Sequence, residues 1–371
     1  MTRPVDIPFQ QLLDALLDVD TPFHPRFLYR LSDLDQSDLA RLKETWPEVP
    51  IWRRQALMED VAALNEKDYL LSFEGLGRLA VHDSDPKVRL IAVRTLCEYE
   101  HKDLIPLFLE LVEKDSDAEV RAGAASALGC FVYAGEVEKL PSHTLREIED
   151  RLIRVAGSAD APLIRRSALE SLGYSSRDDV AGLIETAFAS GNRDWMASAL
   201  LAMGRSANER WEPEVLSMLE SNLPALRSEA ARAAGELEIS AAVPHLLELL
   251  DDPDDRVRTA SIWSLSQIGG SGVSDALERL YQETDDEKEA NLIEDALDNL
   301  AFTEGMEPFR LLDIPEKPVE ETLEELGTLE ELQELDELGD LDDLEELEEY
   351  EDLKDLEDEI FDLLDDEDTV D

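Results

Sequence analysis

Apolar positions between residues 50 and 300 recur with helical spacing. The pair Val88-Arg89 is followed by Ala92 and Leu96, three and seven positions after the arginine. That spacing places small and apolar side chains on one face of a helix. Since no alternating apolar pattern of useful length predicts a strand, the sequence favours an all-α fold.

The same pattern returns along the chain at a nearly constant interval. Anchor positions 165, 196, 227 and 258 are 31 residues apart, and 89 and 121 are 32 apart. A further copy lies at Trp52-Arg53-Arg54, and a degenerate one is centred on Ala290. A period of this length is typical of stacked helix pairs, an α-solenoid. The recurring anchor arginines are Arg89, Arg121, Arg165, Arg227 and Arg258.

Each repeat is predicted to hold two helices. The first is an apolar stretch such as Ala242–Leu250, and the second begins at a capping residue four positions before the anchor. Prolines at the first helical position support these starts. We interpret four glycines as ending or loosening the second helix. The caps are Asp85, Asp117, Asn192 and Asp254, the prolines Pro86, Pro162 and Pro224, and the glycines Gly129, Gly173, Gly204 and Gly235.

The stretch from Ala242 to Gly269 closely resembles a HEAT repeat of the short bacterial kind first named for phycobilisome lyases (PBS lyase HEAT-like repeats). The resemblance covers about residues 50 to 300. It implies an armadillo-type superhelix with a concave and a convex face, whose extended surface binds other proteins. It also implies that the anchor arginines pair with turn aspartates.

Three regions follow from these patterns. Residues 1–50 do not match the repeat and are predicted to form a helical N-terminal cap, residues 51–312 a solenoid of about eight helix pairs, and residues 313–371 an acidic leucine-rich tail. The interval from Arg121 to Arg165 is 44 residues, which places an insertion near residues 131–144. The insertion is either a projecting loop that offers Phe131 and Tyr133 to a partner, or a longer helix pair.

The tail changes the meaning of the net charge of −55. From Glu316 to Asp371 there are 29 acidic and two basic residues. This segment therefore carries about half of the negative net charge of the chain. Leucine stands at every third position from 323 to 347, a period that forms no apolar face on an α-helix. The tail is therefore predicted to be disordered. It could contact a basic or apolar partner surface, contact the body of the same chain, or serve only solubility.

Charge and composition restrict the partners. An acidic surface disfavours nucleic acid and anionic membranes, and no apolar run approaches the roughly 20 residues that span a bilayer. Two cysteines and no apolar N-terminal stretch fit a reducing, cytoplasmic protein with unpaired core thiols. The expected partner is a protein or peptide whose identity the sequence does not give.

Several side chains are candidate binding residues, each with a structural alternative. The anchor arginines could grip an acidic ligand or pair within the array. Trp263 lies off the core stripe and could line a groove or pack normally. The turn residues Arg177, Arg205 and Arg210 could form a basic patch or lie solvated in their turns.

The favoured function is a non-enzymatic interaction scaffold without cofactor or metal. The resemblance also includes bilin lyases and iron-dependent HEAT-type hydroxylases, so a repeat-family enzyme is the first alternative. Such hydroxylases are recognised by His-Glu dipeptides, and none of the five histidines here precedes a glutamate. The second alternative is an acidic mimic of nucleic acid.

Overall fold

The computed structural model describes residues 7–310, with side chains to residue 302, and every regular element in that part of the chain is helical. It begins with α1 (Phe9–Leu17), a 3₁₀ segment (Pro25–Leu31) and α2 (Gln36–Thr45), which precede the repeats. The all-α fold predicted from the helical spacing is confirmed.

The remaining helices are α3 (Ile51–Asn65), which takes the place of a second helix, followed by seven pairs of a first and a second helix. The first helices of the pairs are α4 (Glu74–Ala80), α6 (Ile105–Lys114), α8 (Ser142–Ala156), α10 (Asp178–Ala189), α12 (Glu212–Leu219), α14 (Val243–Glu248) and α16 (Val273–Glu283). The second helices are α3 (Ile51–Asn65), α5 (Pro86–Cys97), α7 (Ala118–Glu136), α9 (Pro162–Leu172), α11 (Arg193–Arg205), α13 (Pro224–Glu236), α15 (Asp255–Ile268) and α17 (Glu287–Arg310).

The two sets of helices form two layers. Second helices from α3 to α15 pack side by side in chain order, and each first helix from α4 to α14 packs on the second helix of its own pair. One apolar core runs through the whole stack. A helix pair cannot bury its apolar stripe alone, so the neighbours stabilise one another and the fold is an α-solenoid.

The predicted helix starts are confirmed. The side chains of Asp85, Asp117, Asn192 and Asp254 accept backbone N–H groups at the beginning of α5, α7, α11 and α15. These contacts satisfy N–H groups that the first turn of a helix leaves without a partner. Prolines begin α5, α9 and α13, where their missing N–H costs nothing.

The interpretation of the four glycines needs correction. Gly129 lies in the middle of α7, and the others lie in or next to the last turn of their helices. A Cβ at Gly173 would lie 2.7 Å from Ala202 Cα, and one at Gly235 would lie 2.8 Å from Ser264 Cα. Real Cβ atoms do not approach backbone atoms so closely. The glycines therefore allow neighbouring second helices to pack backbone against backbone.

The insertion lengthens two helices and does not form a projecting loop. Helix α7 has 19 residues and α8 has 15, whereas α5 has 12 and α6 has 10. Phe131 lies in the longer α7, is 1% exposed and packs with its ring centroid 6.2 Å from that of Phe108. The prediction that Phe131 offers itself to a partner is wrong, because its ring is part of the core. Tyr133 remains 50% exposed.

The predictions for residues 313–371, including disorder and a contact with the body, lie outside the described residues. Within the described part of the chain, no helix combines the length and apolar character needed to cross a bilayer.

Candidate functional site

Four of the five anchor arginines connect neighbouring repeats near the starts of the second helices. Arg89 donates from Nε and Nη2 to the carboxylate of Asp115 at 2.8 and 2.7 Å, and from Nη1 to the Asp83 carbonyl at 2.9 Å. Arg227 makes the same three contacts, to Asp252 at 2.7 and 2.9 Å and to the Ser221 carbonyl at 2.7 Å. Each of these arginines therefore holds its own turn and the next one.

Three further pairs extend this arrangement, which we call the arginine–carboxylate ladder. Arg121 contacts Asp160 at 3.0 Å and Arg258 contacts Glu289 at 2.8 Å. The ladder begins with the buried pair of Arg54 and Asp83. The guanidinium groups of these paired arginines are engaged by carboxylates of the array, so they do not form a surface that could grip an acidic ligand.

Two of the ladder carboxylates, Asp115 and Asp252, are held ionised. Burial would raise the pKa of Asp115, but hydrogen bonds from Arg89 and from the Asp117 N–H keep it below its ordinary value. The same opposition, with Arg227 and the Asp254 N–H as donors, lowers the pKa of Asp252. Hydrogen bonds to the charged form outweigh desolvation in both turns.

The predicted basic patch in the inter-repeat turns is neutralised. Arg177 pairs with Asp150 at 2.6 Å and with Asp179 at 2.7 Å, and Arg210 pairs with Glu185. Arg177 and Arg210 do line one cavity of about 440 Å³. Because carboxylates engage both guanidinium groups, the cavity does not present a basic surface.

Arg205 lies in a different setting, together with two tyrosines. Its guanidinium carbon lies 5.0 Å from the Tyr174 ring centroid, and its Nη1 donates to the Glu170 carbonyl at 2.8 Å. Tyr174 in turn meets Tyr133 edge-on, with ring centroids 5.5 Å apart. The structure thus brings Tyr133 and Arg205 into one row through Tyr174. The sequence reasoning missed Tyr174, although it and Arg205 both stand nine positions after an anchor.

Trp263 is half-buried on α15. It stands five positions after its anchor, as do Arg94, Ser126 and Glu170 on other second helices. These positions share the surface that the second helices form, so Trp263 belongs to that surface.

A continuous groove crosses this second-helix surface from α3 to α9. One part, of about 720 Å³, lies over α3, α5 and the start of α7, and the next, of about 540 Å³, lies over α5, α7 and α9. Both are lined by Leu90, Arg94, Glu98 and Glu119. We call this the second-helix groove. The sequence reasoning did not find it.

Small residues keep the floor of the second-helix groove low. Ala122, Gly123, Ser126 and Ala127 of α7 line it. A Cβ at Gly123 would lie 2.8 Å from Leu90 Cδ1, so an alanine there would have to displace the end of the Leu90 side chain. In the sequence Gly123 and Ser126 stand at the same offsets from Arg121 as Ile91 and Arg94 do from Arg89, and that contrast was the available signal.

The groove is acidic overall. Glu59, Glu66, Glu98 and Glu119 line it, against Lys87 and Arg94 as the basic groups. Lys87 is already paired with Glu59. Arg94 is exposed, and no hydrogen bond or ion pair joins it to another described residue.

On α13, two carboxylates each have one buried oxygen without a hydrogen-bond partner among the described residues. The Oε2 atoms of Glu229 and Glu236 are buried without a donor among the described residues. Burial raises the pKa of both groups above the ordinary value, opposed by the positive charges of Arg205 and Arg232.

Neither of the two cysteine thiols is activated for reaction. Burial raises the pKa of Cys97 to about 11 and that of Cys130 to about 12, so both are protonated at neutral pH. Both are unpaired. In the described part of the chain, no group of three or more His, Cys, Asp or Glu side chains is arranged to hold a metal ion.

Comparison with known proteins gives a family match. A model of HEAT repeats matches residues 73–142, 180–259 and 212–298, together half of the chain. No curated protein sequence matches the chain at a significant level.

Solved structures with similar folds exist at low sequence identity. The complex of CpcE and CpcF of phycocyanin lyase from Nostoc is 19% identical, covering 61% of this chain and 94% of that one, with a TM-score of 0.42. Human deoxyhypusine hydroxylase is 17% identical, covering 70% and 95%, with a TM-score of 0.32. The Kap95:Nup1 complex is 14% identical, covering 89% and 51%, with a TM-score of 0.42. At these identities the likeness concerns the fold alone.

Proposed function

This chain belongs to the HEAT repeat family, and on that premise we propose that it is a non-enzymatic scaffold that binds an extended segment of a partner protein in the second-helix groove. The observation that carries the proposal is the continuity of the groove over four second helices. A stack of repeats offers a surface long enough for an extended segment, and the small floor residues leave room for its side chains.

The charge of the groove indicates the chemistry of the partner. Glu98 and Glu119 line both parts of the groove and are exposed, while Leu90 and Ala122 supply apolar contacts. A partner segment with basic side chains flanking small apolar ones is complementary to this lining. Arg94 lies among the glutamates and fits one acidic or carbonyl group on the same segment.

Affinity purification from the native cell with matched variants tests the proposal. The double variant Glu98→Lys with Glu119→Lys reverses the charge of the groove. The matched control, Glu278→Lys with Glu283→Lys, makes the same charge change at exposed positions of α16. We expect to find a partner protein that the wild type and the control variant both bind and that the groove variant does not bind. Raising the salt concentration should elute this partner from the wild type. A groove variant that retains every partner of the wild type contradicts the proposal.

A chain truncated after Pro315 separates the contribution of the acidic tail. Partners that disappear only on truncation bind the tail sequence, and partners that disappear only in the groove variant bind the solenoid. A coloured covalent adduct formed on mixing the protein with a bilin and its acceptor protein would contradict the non-enzymatic assignment.

A further inference from the structure

The arginine–carboxylate ladder is interrupted in the middle of the stack. Six positions before an anchor, the turn residue is an aspartate at 83, 115 and 252, and a serine at 190 and 221. At 159 it is an alanine, but the adjacent Asp160 supplies the carboxylate that pairs with Arg121. The anchor of the repeat before Ser221 is Met196, so no guanidinium there requires a carboxylate. The anchor before Ser190 is Arg165. Arg165 is therefore the anchor arginine that has no carboxylate partner among the described residues.

Ser190 preserves the turn but not the ion pair. Asp115 accepts the Asp117 N–H at 2.8 Å while its second oxygen accepts from Nε of Arg89. Ser190 Oγ accepts the Asn192 N–H at 3.2 Å and donates to the Ala187 carbonyl at 2.7 Å. A serine has one side-chain oxygen, so it maintains the local turn and offers nothing to the preceding repeat.

Two nitrogens of the Arg165 guanidinium have no partner among the described residues. Its Nε donates to the Ala156 carbonyl at 2.9 Å, and its central carbon lies 5.1 Å from the Trp195 ring centroid. Within the described residues, Nη1 and Nη2 make no hydrogen bond or ion pair. These two nitrogens form the edge of a planar group that binds carboxylates in a bidentate manner.

A cavity of about 380 Å³ lies beside this half-buried cation. Its wall includes Leu169, Leu183, Ala187 and Trp195, and Arg165 is its charged lining residue. An ion pair formed against an apolar wall is screened less by water than one on an open surface. This volume lies at the lower end of the range for small-molecule pockets and can hold one or two side chains.

We propose that this cavity binds an acidic side chain of a partner protein together with an apolar side chain next to it. The carboxylate binds the Nη edge of Arg165, in the role that Asp115 fills for Arg89, and the apolar side chain packs between Leu183 and Trp195. The cavity shares no lining residue with the second-helix groove and prefers the opposite charge. The inference is therefore independent of the function proposed above.

Nuclear magnetic resonance of the full chain tests the proposal. The probes are acetyl-Leu-Glu-Leu-amide and its uncharged match, acetyl-Leu-Gln-Leu-amide. The chain has five tryptophans, and the Trp195→Phe variant identifies the indole N–H resonance of Trp195. We expect a saturable shift of that resonance with the glutamate peptide and roughly tenfold weaker binding of the glutamine peptide, because a charge-assisted pair is lost.

Two serine variants provide a matched comparison. Ser190→Asp supplies the chain's own carboxylate to Arg165 and should weaken the glutamate peptide roughly tenfold by competition. Ser221→Asp adds the same charge one repeat further on, where Met196 replaces the arginine, and should leave binding unchanged. Both variants retain Arg165, so a folding defect caused by its removal does not confuse the result.

Three outcomes overturn the proposal. They are the absence of a saturable Trp195 shift, equal binding of the glutamine peptide, and wild-type binding by Ser190→Asp. Arg165→Gln provides a last check, since it should abolish the difference between the two peptides while thermal unfolding reports whether the variant is folded.

Discussion

At the scale of single residues, the ladder aspartates combine a local and a long-range contact. Asp115 is 5% exposed at its side chain, accepts an N–H in its own turn and pairs with Arg89 of the preceding repeat, whose side chain is 11% exposed. A carboxylate suits both contacts because it offers two acceptor oxygens. One residue therefore fixes the turn and the stacking of two repeats.

The first prediction follows from that buried pair. Asp115→Ser leaves Arg89 half-buried without a counter-charge, and we expect it to lower the free energy of unfolding by about 3 kcal/mol. Denaturant unfolding followed by circular dichroism measures this. The control is Asp103→Ser. The Asp103 carboxylate pairs with Arg78 but is 70% exposed, so its removal should lower the free energy of unfolding by less than about 1 kcal/mol. Equal losses in the two variants would show that burial does not matter here.

The second prediction concerns pH. The pKa of Asp115 is lower in the folded protein than the ordinary value of 3.8, so the pair stabilises the fold fully above that value. As pH falls through the lowered pKa, the carboxylate is protonated and the stabilisation is lost. We expect the difference in unfolding free energy between wild type and Asp115→Ser to be large at pH 7 and to shrink below about pH 4. Unfolding titrations at a series of pH values measure it, and a difference that is constant with pH would contradict it.

At the scale of helices, packing depends on glycine opposite a small residue. The glycine stands eight positions after one anchor, and the small residue stands six positions after the next. In each case a Cβ on the glycine would meet the facing residue within about 3 Å. The offsets fix how closely successive second helices approach. The facing pairs are Gly129–Ser171, Gly173–Ala202, Gly204–Ala233 and Gly235–Ser264.

The third prediction tests this helix contact. Gly173→Ala and Gly235→Ala should each destabilise the protein by about 1 to 3 kcal/mol, because backbone atoms of the neighbouring helix cannot move aside cheaply. Gly182→Ala in α10 is the matched control, since nothing lies within 4 Å of its added Cβ. There alanine should stabilise the helix by about 0.5 to 1 kcal/mol. Opposite signs, measured as thermal midpoints, are the expected result, and a shared sign would contradict the contact.

At the scale of the whole molecule, stability is the sum of repeats and of the interfaces between neighbours. The ladder joins α5 to the turn before α7 and α13 to the turn before α15 through Arg89 and Arg227. No such ion pair is made by Arg165 of α9 or Met196 of α11 in the described part of the chain. The interfaces around α11 therefore lack a contribution that the flanking interfaces have.

The fourth prediction is that the solenoid opens first around α11. Hydrogen exchange followed by mass spectrometry should give amides of α9 and α11 roughly tenfold less protection than those of α13 and α15. Ser190→Asp should raise protection in α9 and α11 by completing the pair with Arg165. Ser221→Asp, which has no arginine to meet, should leave it unchanged. Uniform protection along the stack would argue against a weak interface.

Much of the fold could be read from local patterns. The anchors, the caps and the first-turn prolines follow from contacts within a few residues, so the sequence predicted the helix starts, the pairing and the solenoid. The same patterns left the position of Phe131 open, because inserted residues can either form a loop or lengthen a helix, and only packing against Phe108 decides between them.

The candidate surfaces were less predictable because they depend on residues far apart in the chain. From the sequence, Arg177 and Arg210 could form a basic patch. The structure places Asp150 beside Arg177 and Glu185 beside Arg210, and these carboxylates neutralise the two side chains. The loss of the turn aspartate at Ser190 is visible in the sequence, but the cavity next to Arg165 is not. The sequence by itself determined the repeat and its helices, since those follow from periodic local contacts. Only the tertiary structure decided which charges are paired and where cavities open, since those depend on distances between different repeats.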